Sequence, residues 1–359
     1  MKKFPTVAFA LLAAAVLSAH TQEAGAQQKR FDGVTLRVGT FGGSWKDAVE
    51  AQVSRKVEAL GMKVEYVIGN PAENFSKVIA ARGRAVPIDL MELGPAEHIT
   101  MSKNDFLETI PPTQVPNASK LPSQILDPKA YAHLMIQNGI VYRTDVFEAE
   151  KIAVPQSYGD LVNPKLVGRV AFPDVTNTQH WTAVTALAHQ NGGDERAFQK
   201  GFAKVVDIKP LYYFSAASEL ATKFGSNDVI AAPWHAGWGV RLERAGQKVA
   251  FVHPKVGNKV GAVEYNYLGI VKGSKNVEAA AAFINAFLDT ASQTEFAKAT
   301  GSTPTNREAR AQIANDPTLR KFMLLSDKEL ENAFVVDWSK IDQQQWRNEW
   351  ARTIQNSAR

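Results

Sequence analysis

Short apolar or alternating runs interleave, along most of the chain, with stretches whose apolar positions recur every three or four residues. Residues 34–41, rich in β-branched and aromatic side chains, read as a strand. Residues 45–60 put Ala48, Val49, Val53, Val57 and Leu60 on one helical face, and Gly61 ends that helix. A second strand follows at residues 63–68, a second helix at 72–82 and a third strand at 88–93. Three strands joined by two helices through short links predict a mainly parallel sheet. In such a sheet the loops after the strands form the ligand-facing edge. The first of these loops is Gly42-Gly43-Ser44, and the third begins near Glu92.

Between Pro111 and Pro128 the pattern dissolves into Pro, Gln, Asn and Ser, as in a surface segment. Order resumes at residues 140–142, and a second α/β unit follows. It holds a strand at 168–172 that stops at Pro173-Asp174, helices at 178–190, 195–206 and 216–224, and a buried strand at 229–232 that stops at Pro233-Trp234. Gly225 is expected to end the third of those helices. Beyond lie a helix at 240–245, strands at 248–252 and 263–271, and helices at 277–288 and 293–300. Trp338, Ile341, Trp346 and Trp350 fall near multiples of a helical turn and predict one apolar stripe that packs on the rest. The expected fold class is α/β.

Composition narrows the function. A chain of 359 residues suggests two domains at about 150 residues each, and 45% hydrophobic with 21% charged residues is an ordinary globular mixture. The 41 Lys and Arg against 36 Asp and Glu leave +5, too small and too dispersed for a nucleic-acid partner. With no cysteine, a disulfide framework, thiolate metal sites, a cysteine nucleophile and a lipid-modified N-terminal cysteine are all excluded. Lys2 and Lys3, an apolar run over residues 7–17 and Ala24-Gly25-Ala26 read as a secretory signal over residues 1–26, cleaved near Ala26. The apolar run is about half of the roughly 20 residues that a membrane span needs. The mature chain is therefore expected in a bacterial periplasm, as a degradative enzyme or a solute receptor.

The usual enzyme signatures are missing: no P-loop, no Gly-x-Gly-x-x-Gly after a strand, no His-Glu-x-x-His and no Gly-x-Ser-x-Gly. The 7 histidines are scattered, which argues against a zinc site, and no cofactor or metal is expected. Carboxylate pairs such as Asp194-Glu195 sit in polar, helix-start contexts and read as solvated surface.

A succession of motifs then becomes specific. Thr40-Phe-Gly-Gly-Ser-Trp45, Gly139-Ile-Val-Tyr-Arg-Thr-Asp145, Pro155-Gln-Ser-Tyr-Gly-Asp-Leu161 and Pro164-Lys-Leu-Val-Gly-Arg-Val-Ala-Phe-Pro-Asp174 occur in order. Leu268-Gly-Ile-Val-Lys-Gly-Ser-Lys-Asn276, Ala282-Phe-Ile-Asn285 and Gly301-Ser-Thr-Pro-Thr305 follow. Together they resemble the spermidine/putrescine-binding family, extracellular solute-binding proteins of ABC importers. The resemblance implies a two-lobe, type II periplasmic-binding fold with crossing hinge strands near residues 134–139 and 263–268. It implies lobe 1 at residues 27–134 plus about 268–310, lobe 2 at 138–263, and a C-terminal helical segment, 311–359, packing across both. The implied partners are a small-molecule solute and the importer's membrane permease, and the receptor is expected to be a monomer.

Carried over position by position, the resemblance is incomplete. Polyamine binders in the family cradle the amine with Trp-x-Asp on the second crossing strand, where this chain has Glu264-Tyr265-Asn266. The family's Ser and Tyr after the third strand fall near Gly94 and Ala96. The candidate binding residues are Ser44, Trp45, Glu92, Asp174, Ser215, Trp234, Glu264 and Asn266. Trp45 reads more readily as a core residue at a helix start than as a ligand contact, while Asp174 reads equally as a helix cap and Glu92 as a strand-end acceptor. Tyr212-Tyr213 superficially suggests the tyrosine pair of ferric-binding relatives but reads as packing. Glu92, Asp174 and Glu264 with Trp234 would suit a small cation. Ser44, Ser215 and Asn266 with nearby helix N-termini would suit a carboxylate, and an amino-acid-like zwitterion would use both sets. An amine-containing solute ranks first, and an organic anion or ferric ion second. A hydrolase or lyase working through Asp174 and Glu264 is the reading of another class.

Overall fold

The computed structural model describes residues 29–82 and 84–357, so the expected signal segment lies outside the described residues. Among the described residues twelve strands follow in chain order: β1 (Thr35–Thr40), β2 (Lys63–Ile68), β3 (Leu90–Leu93), β4 (Ala130–Arg143), β5 (Ala171–Pro173), β6 (Tyr212–Phe214), β7 (Ala231–His235), β8 (Val249–Val252), β9 (Lys255–Val256), β10 (Lys259–Val260), β11 (Ala262–Ile270) and β12 (Thr303–Pro304). The βαβαβ start forms as expected, with β1 parallel to both β2 and β3. The helical stretch after β1 is interrupted by a π-turn at Glu50–Ser54.

β4 organises the molecule. Its first half pairs antiparallel with β11 and β12, and its second half with β7 and β8. The main sheet therefore runs β12-β4-β11-β3-β1-β2, while β7 and β8 extend it from the far end of β4. The sequence pattern resumed only at residue 140 because His133, Gln137 and Asn138 interrupt the apolar run. All three are nevertheless buried, since β4 is covered on both faces.

Two groups of core residues lie at opposite ends of this strand. Leu36, Val38, Leu90, Leu134, Leu268, Phe283 and Phe296 pack at one end, where the helices Val277–Phe287 and Thr290–Thr300 return after β11. Ile140, Phe172, Trp181, Phe202 and Trp346 pack at the other, and Phe214, Phe224, Trp234 and Phe322 fill a neighbouring layer. The result is a two-lobe α/β fold. One expected boundary shifts: the helix Ala217–Ser226 runs through Gly225 and ends at Asn227, which takes the left-handed conformation at φ 66°. Asparagine tolerates that conformation, so no glycine is needed there.

Gly139 sits where β4 passes between β7 and β8. An added Cβ would lie 2.3 Å from the Val252 carbonyl oxygen and 2.4 Å from the Phe251 ring. Neither the backbone nor a packed ring can give way cheaply, so Gly139→Ala should destabilise the fold by about 1–3 kcal/mol. Urea unfolding would register this as a lower midpoint with an unchanged slope, and an unaltered midpoint would contradict the close approach.

Candidate functional site

The ends of β1, β3 and β5 converge on a cavity of about 260 Å³ between the lobes. Phe41 and residues 94–97 line it from the first lobe, Asn177, Trp181 and Ser215 from the second, and Trp338 and Arg347 from the C-terminal segment. Local sequence explains these walls. Gly94 and Pro95 start the helix Pro95–Lys103 directly after β3, which puts Glu97 in its first turn. After β5, Asn177 caps the helix Thr178–Gln190 by accepting the Gln179 N–H at 3.1 Å, and its side-chain amide donates to the Ser215 carbonyl at 3.3 Å.

An adjoining cavity of about 230 Å³ shares Pro95 and Trp338 and reaches Glu264 on β11. In the β4–β11 ladder Glu264 stands opposite Ile136, Asn266 opposite Leu134 and Ala262 opposite Asn138. Period-two alternation therefore puts Glu264, Asn266 and Asn138 on one face. They are 4%, 9% and 1% exposed. Each leaves a buried oxygen without a hydrogen-bond partner: Oε2 of Glu264, and Oδ1 of Asn266 and of Asn138. An unpartnered buried acceptor costs about 1–3 kcal/mol, so three on one face form a floor in need of donors.

Burial pushes the Glu264 carboxyl up to about 7, and the nearby Glu97 charge pushes the same way, while Asn138 and Thr178 pull against them. Burial also raises the Glu97 carboxyl, against backbone N–H groups and the Arg347 guanidinium that favour its ionised form. The cleft thus holds two acids that resist ionising together, with one arginine near the second.

The other nominated residues have different surroundings. Glu92 is 3% exposed and accepts bonds from the Thr40 hydroxyl at 2.5 Å and the Trp45 indole at 2.9 Å. Trp45 packs edge-on to Phe41 and Phe296, so this pair ties β1, β3 and the first helix together. Ser44 is exposed at that helix start, and Phe41 lines the cavity from the same loop. Ser215 lines the cavity. The Asp174 carboxylate is spent on the Thr176 N–H and hydroxyl, at 3.0 and 2.9 Å, and on the Trp350 indole. Burial pushes its pKa upward, but those bonds outweigh it and hold the group below the ordinary aspartate value. Trp234, expected on the cleft wall, is instead fully buried. It stacks on Trp238 at 4.9 Å and packs against Phe224, because its side of β7 is covered by helices. Tyr213 packs edge-on to Trp350, and Tyr212 lies beneath the Lys223 ammonium. Among the described residues, no group of three or more His, Asp and Glu could hold a metal ion.

Glu97, Asn138, Trp181 and Arg347 were not among the nominated residues. Glu97 was accessible to the rule that ligands meet the loops after parallel strands, since it lies just beyond β3. Asn138 and Trp181 carry no local signal that separates them from core. Arg347 lies on a helix whose pattern shows only which face is apolar.

The family model of bacterial extracellular solute-binding proteins matches residues 55–321, about three quarters of the chain, and ends before the segment that supplies Trp338 and Arg347. No curated relative matches the chain. Among solved structures, an ABC transporter protein from Clostridium perfringens ATCC 13124 is similar at a TM-score of 0.72 and 23% identity, over 89% of this chain and 99% of that one. A GABA receptor is similar at 0.72 and 19%, over 89% and 96%. A protein from Listeria monocytogenes described as a spermidine/putrescine ABC transporter is similar at 0.70 and 16%, over 89% and 98%. At these identities the likeness is one of fold.

Glu264 makes stability depend on pH in a definite direction. Between its ordinary value of 4.5 and its folded value of about 7, the folded state keeps a proton that the unfolded state has lost. Stability of the ligand-free protein therefore falls as pH rises through that window, by an amount on the order of 3 kcal/mol, and levels off above it. Glu264→Gln removes this fall. Calorimetric melting should show the variant gaining more over the parent at pH 8 than at pH 5; an equal difference at both would refute the buried acid.

Proposed function

The chain belongs to the bacterial extracellular solute-binding protein family, and we propose that it is a periplasmic receptor that clamps a small amine-containing solute between its lobes and presents it to the permease of an ABC importer. The floor of the cleft carries the choice of an amine. Glu264, Asn266 and Asn138 offer three unpartnered acceptors on one face. An ammonium brings three donors, one positive charge and no acceptor, so it answers each deficit at once. A carboxylate there would meet the Glu264 carboxyl and leave the three unpartnered oxygens without a donor. Trp338 and Phe41 add aromatic rings at the cavity wall that suit a cation or its alkyl chain.

The division into a lobe of residues 27–134 plus about 268–310 and another of 138–263 fits β4 and β11 as the crossing strands. A solute that touches both lobes stabilises the closed form, and that form is what a permease would recognise. Two proteins of like fold bear the names of amine solutes, GABA and spermidine/putrescine. The hydrolase reading needs Asp174 beside Glu264, yet the Asp174 carboxylate is engaged with Thr176 and Trp350. The ferric reading needs paired tyrosines, yet Tyr212 and Tyr213 have separate packing partners.

Native mass spectrometry of protein purified without refolding should reveal a copurified small molecule with a basic nitrogen, and a nitrogen-free solute would overturn the proposal. By titration calorimetry Glu264→Gln should weaken binding of that amine by about 10-fold to 100-fold, since shape is kept while the charge is lost. An anionic solute would bind more tightly to the variant. Affinity should also drop below pH 7, by up to about tenfold per unit, because the bound ammonium requires Glu264 ionised.

A further inference from the structure

The third wall of the cleft comes from the C-terminal segment, beyond the residues that the family model matches. Backbone bonds tie Phe334 to Gly261 and to Val263 at 2.8 and 2.9 Å, which fastens this segment along the start of β11. Residues 335–338 then line the cavity above Glu264. The helix Gln343–Ser357 is anchored by Trp346 and Trp350, 0% and 3% exposed, in the core of the second lobe.

That anchoring fixes the position of Arg347, the residue after Trp346. Its guanidinium lies 5.4 Å over the ring of Trp181, and Trp181 is itself 4% exposed and packed 4.9 Å from Trp346. A guanidinium held over a ring keeps its N–H donors in the plane, free to meet a further group at their edge. Arg347 also lines the interlobe cavity together with Glu97. Glu97 is close enough for the Arg347 charge to bear on its carboxyl and for its own charge to bear on Glu264. The cleft is therefore electrically polar: unpartnered oxygens and the Glu264 acid at β11, and a cation stacked on Trp181 at the C-terminal helix.

We infer that Arg347 holds a carboxylate of the solute, so that the receptor's ligand class is amino acids, with the ammonium on the Glu264 floor and the carboxylate on Arg347. This rests on the amine reading above and narrows it. The planar fork of donors matches two carboxylate oxygens, whereas a diamine would bring its second cation against the arginine. The specificity would then reside in a segment outside the matched family region.

The test uses the intact protein and a panel of probes: the standard L-amino acids, GABA, putrescine, spermidine, butyrate and succinate. Thermal shift should select amino acids, and calorimetry on the best of them should show Arg347→Ala weakening it about tenfold or more, with Arg347→Lys recovering only part of the loss. Because Arg347 is exposed, melting of the ligand-free variant should match the parent. Preference for GABA over putrescine, which have chains of four carbons each, should collapse in the alanine variant. If putrescine or spermidine binds best and Arg347→Ala leaves it unchanged, the amino-acid assignment fails while the amine reading stands. If only butyrate or succinate binds, both fail. Silence across the panel also overturns the assignment to amino acids.

Discussion

The backbone ladder between β4 and β11 is the constraint on which the rest of the molecule hangs. These strands contribute Leu134 and Leu268 to one core and Ile140 and Ala262 to another, so neither lobe can be assembled without them. A strand pair buried on both faces must also account for every polar side chain it carries. Gln137 does so completely. Its amide donates to the Thr303 hydroxyl and the Leu324 carbonyl at 2.8 and 2.7 Å, and its oxygen accepts the Leu324 N–H at 2.9 Å. Its neighbour Asn138, facing the other way, retains a free oxygen beside those of Glu264 and Asn266. Gln137 thus spends its amide on the fold, whereas Asn138, Glu264 and Asn266 keep oxygens for the cleft.

The same distinction separates the three carboxylates that the sequence nominated. Glu92 is enclosed by the Thr40 hydroxyl and the Trp45 indole, and Asp174 by Thr176 and Trp350. Both are acids whose surroundings already supply donors. Glu264 is as deeply buried as Glu92, yet one of its oxygens has no donor at all. Burial alone would have grouped Glu92 with Glu264; the accounting of hydrogen bonds is what sets them apart.

Much of the architecture was legible because amphipathic helices and apolar strands write their period directly into the chain. The βαβαβ opening and the helices Thr178–Gln190 and Val277–Phe287 emerged close to their expected limits. The crossing strand was harder to see, since the polar residues that serve the cleft are those that break its apolar run. Trp234 misled for a related reason: its place at the end of a buried strand was visible, but not which face of β7 the helix Ala236–Arg244 would cover. Glu264 and Asn266 were found through a family motif although both differ from its usual residues. Arg347 was beyond reach, because a polar position on an amphipathic helix gives no hint of what its polar face meets across space.

The packing of the helix Gln343–Ser357 has a consequence in time rather than in space. The Trp346 indole donates to His180 at 2.9 Å across a sequence separation of 166 residues, inside a core that also needs Phe198 and Phe202. Burial holds His180 neutral with a pKa of about 4, so this contact is made by an uncharged ring. As a growing chain emerges from its N-terminal side, the second lobe can gather its strands but not seal its interior until residue 346 is delivered. Contacts of such long range slow folding. The second lobe's aromatic interior is therefore the last part of the fold to close, because its latest residues complete it.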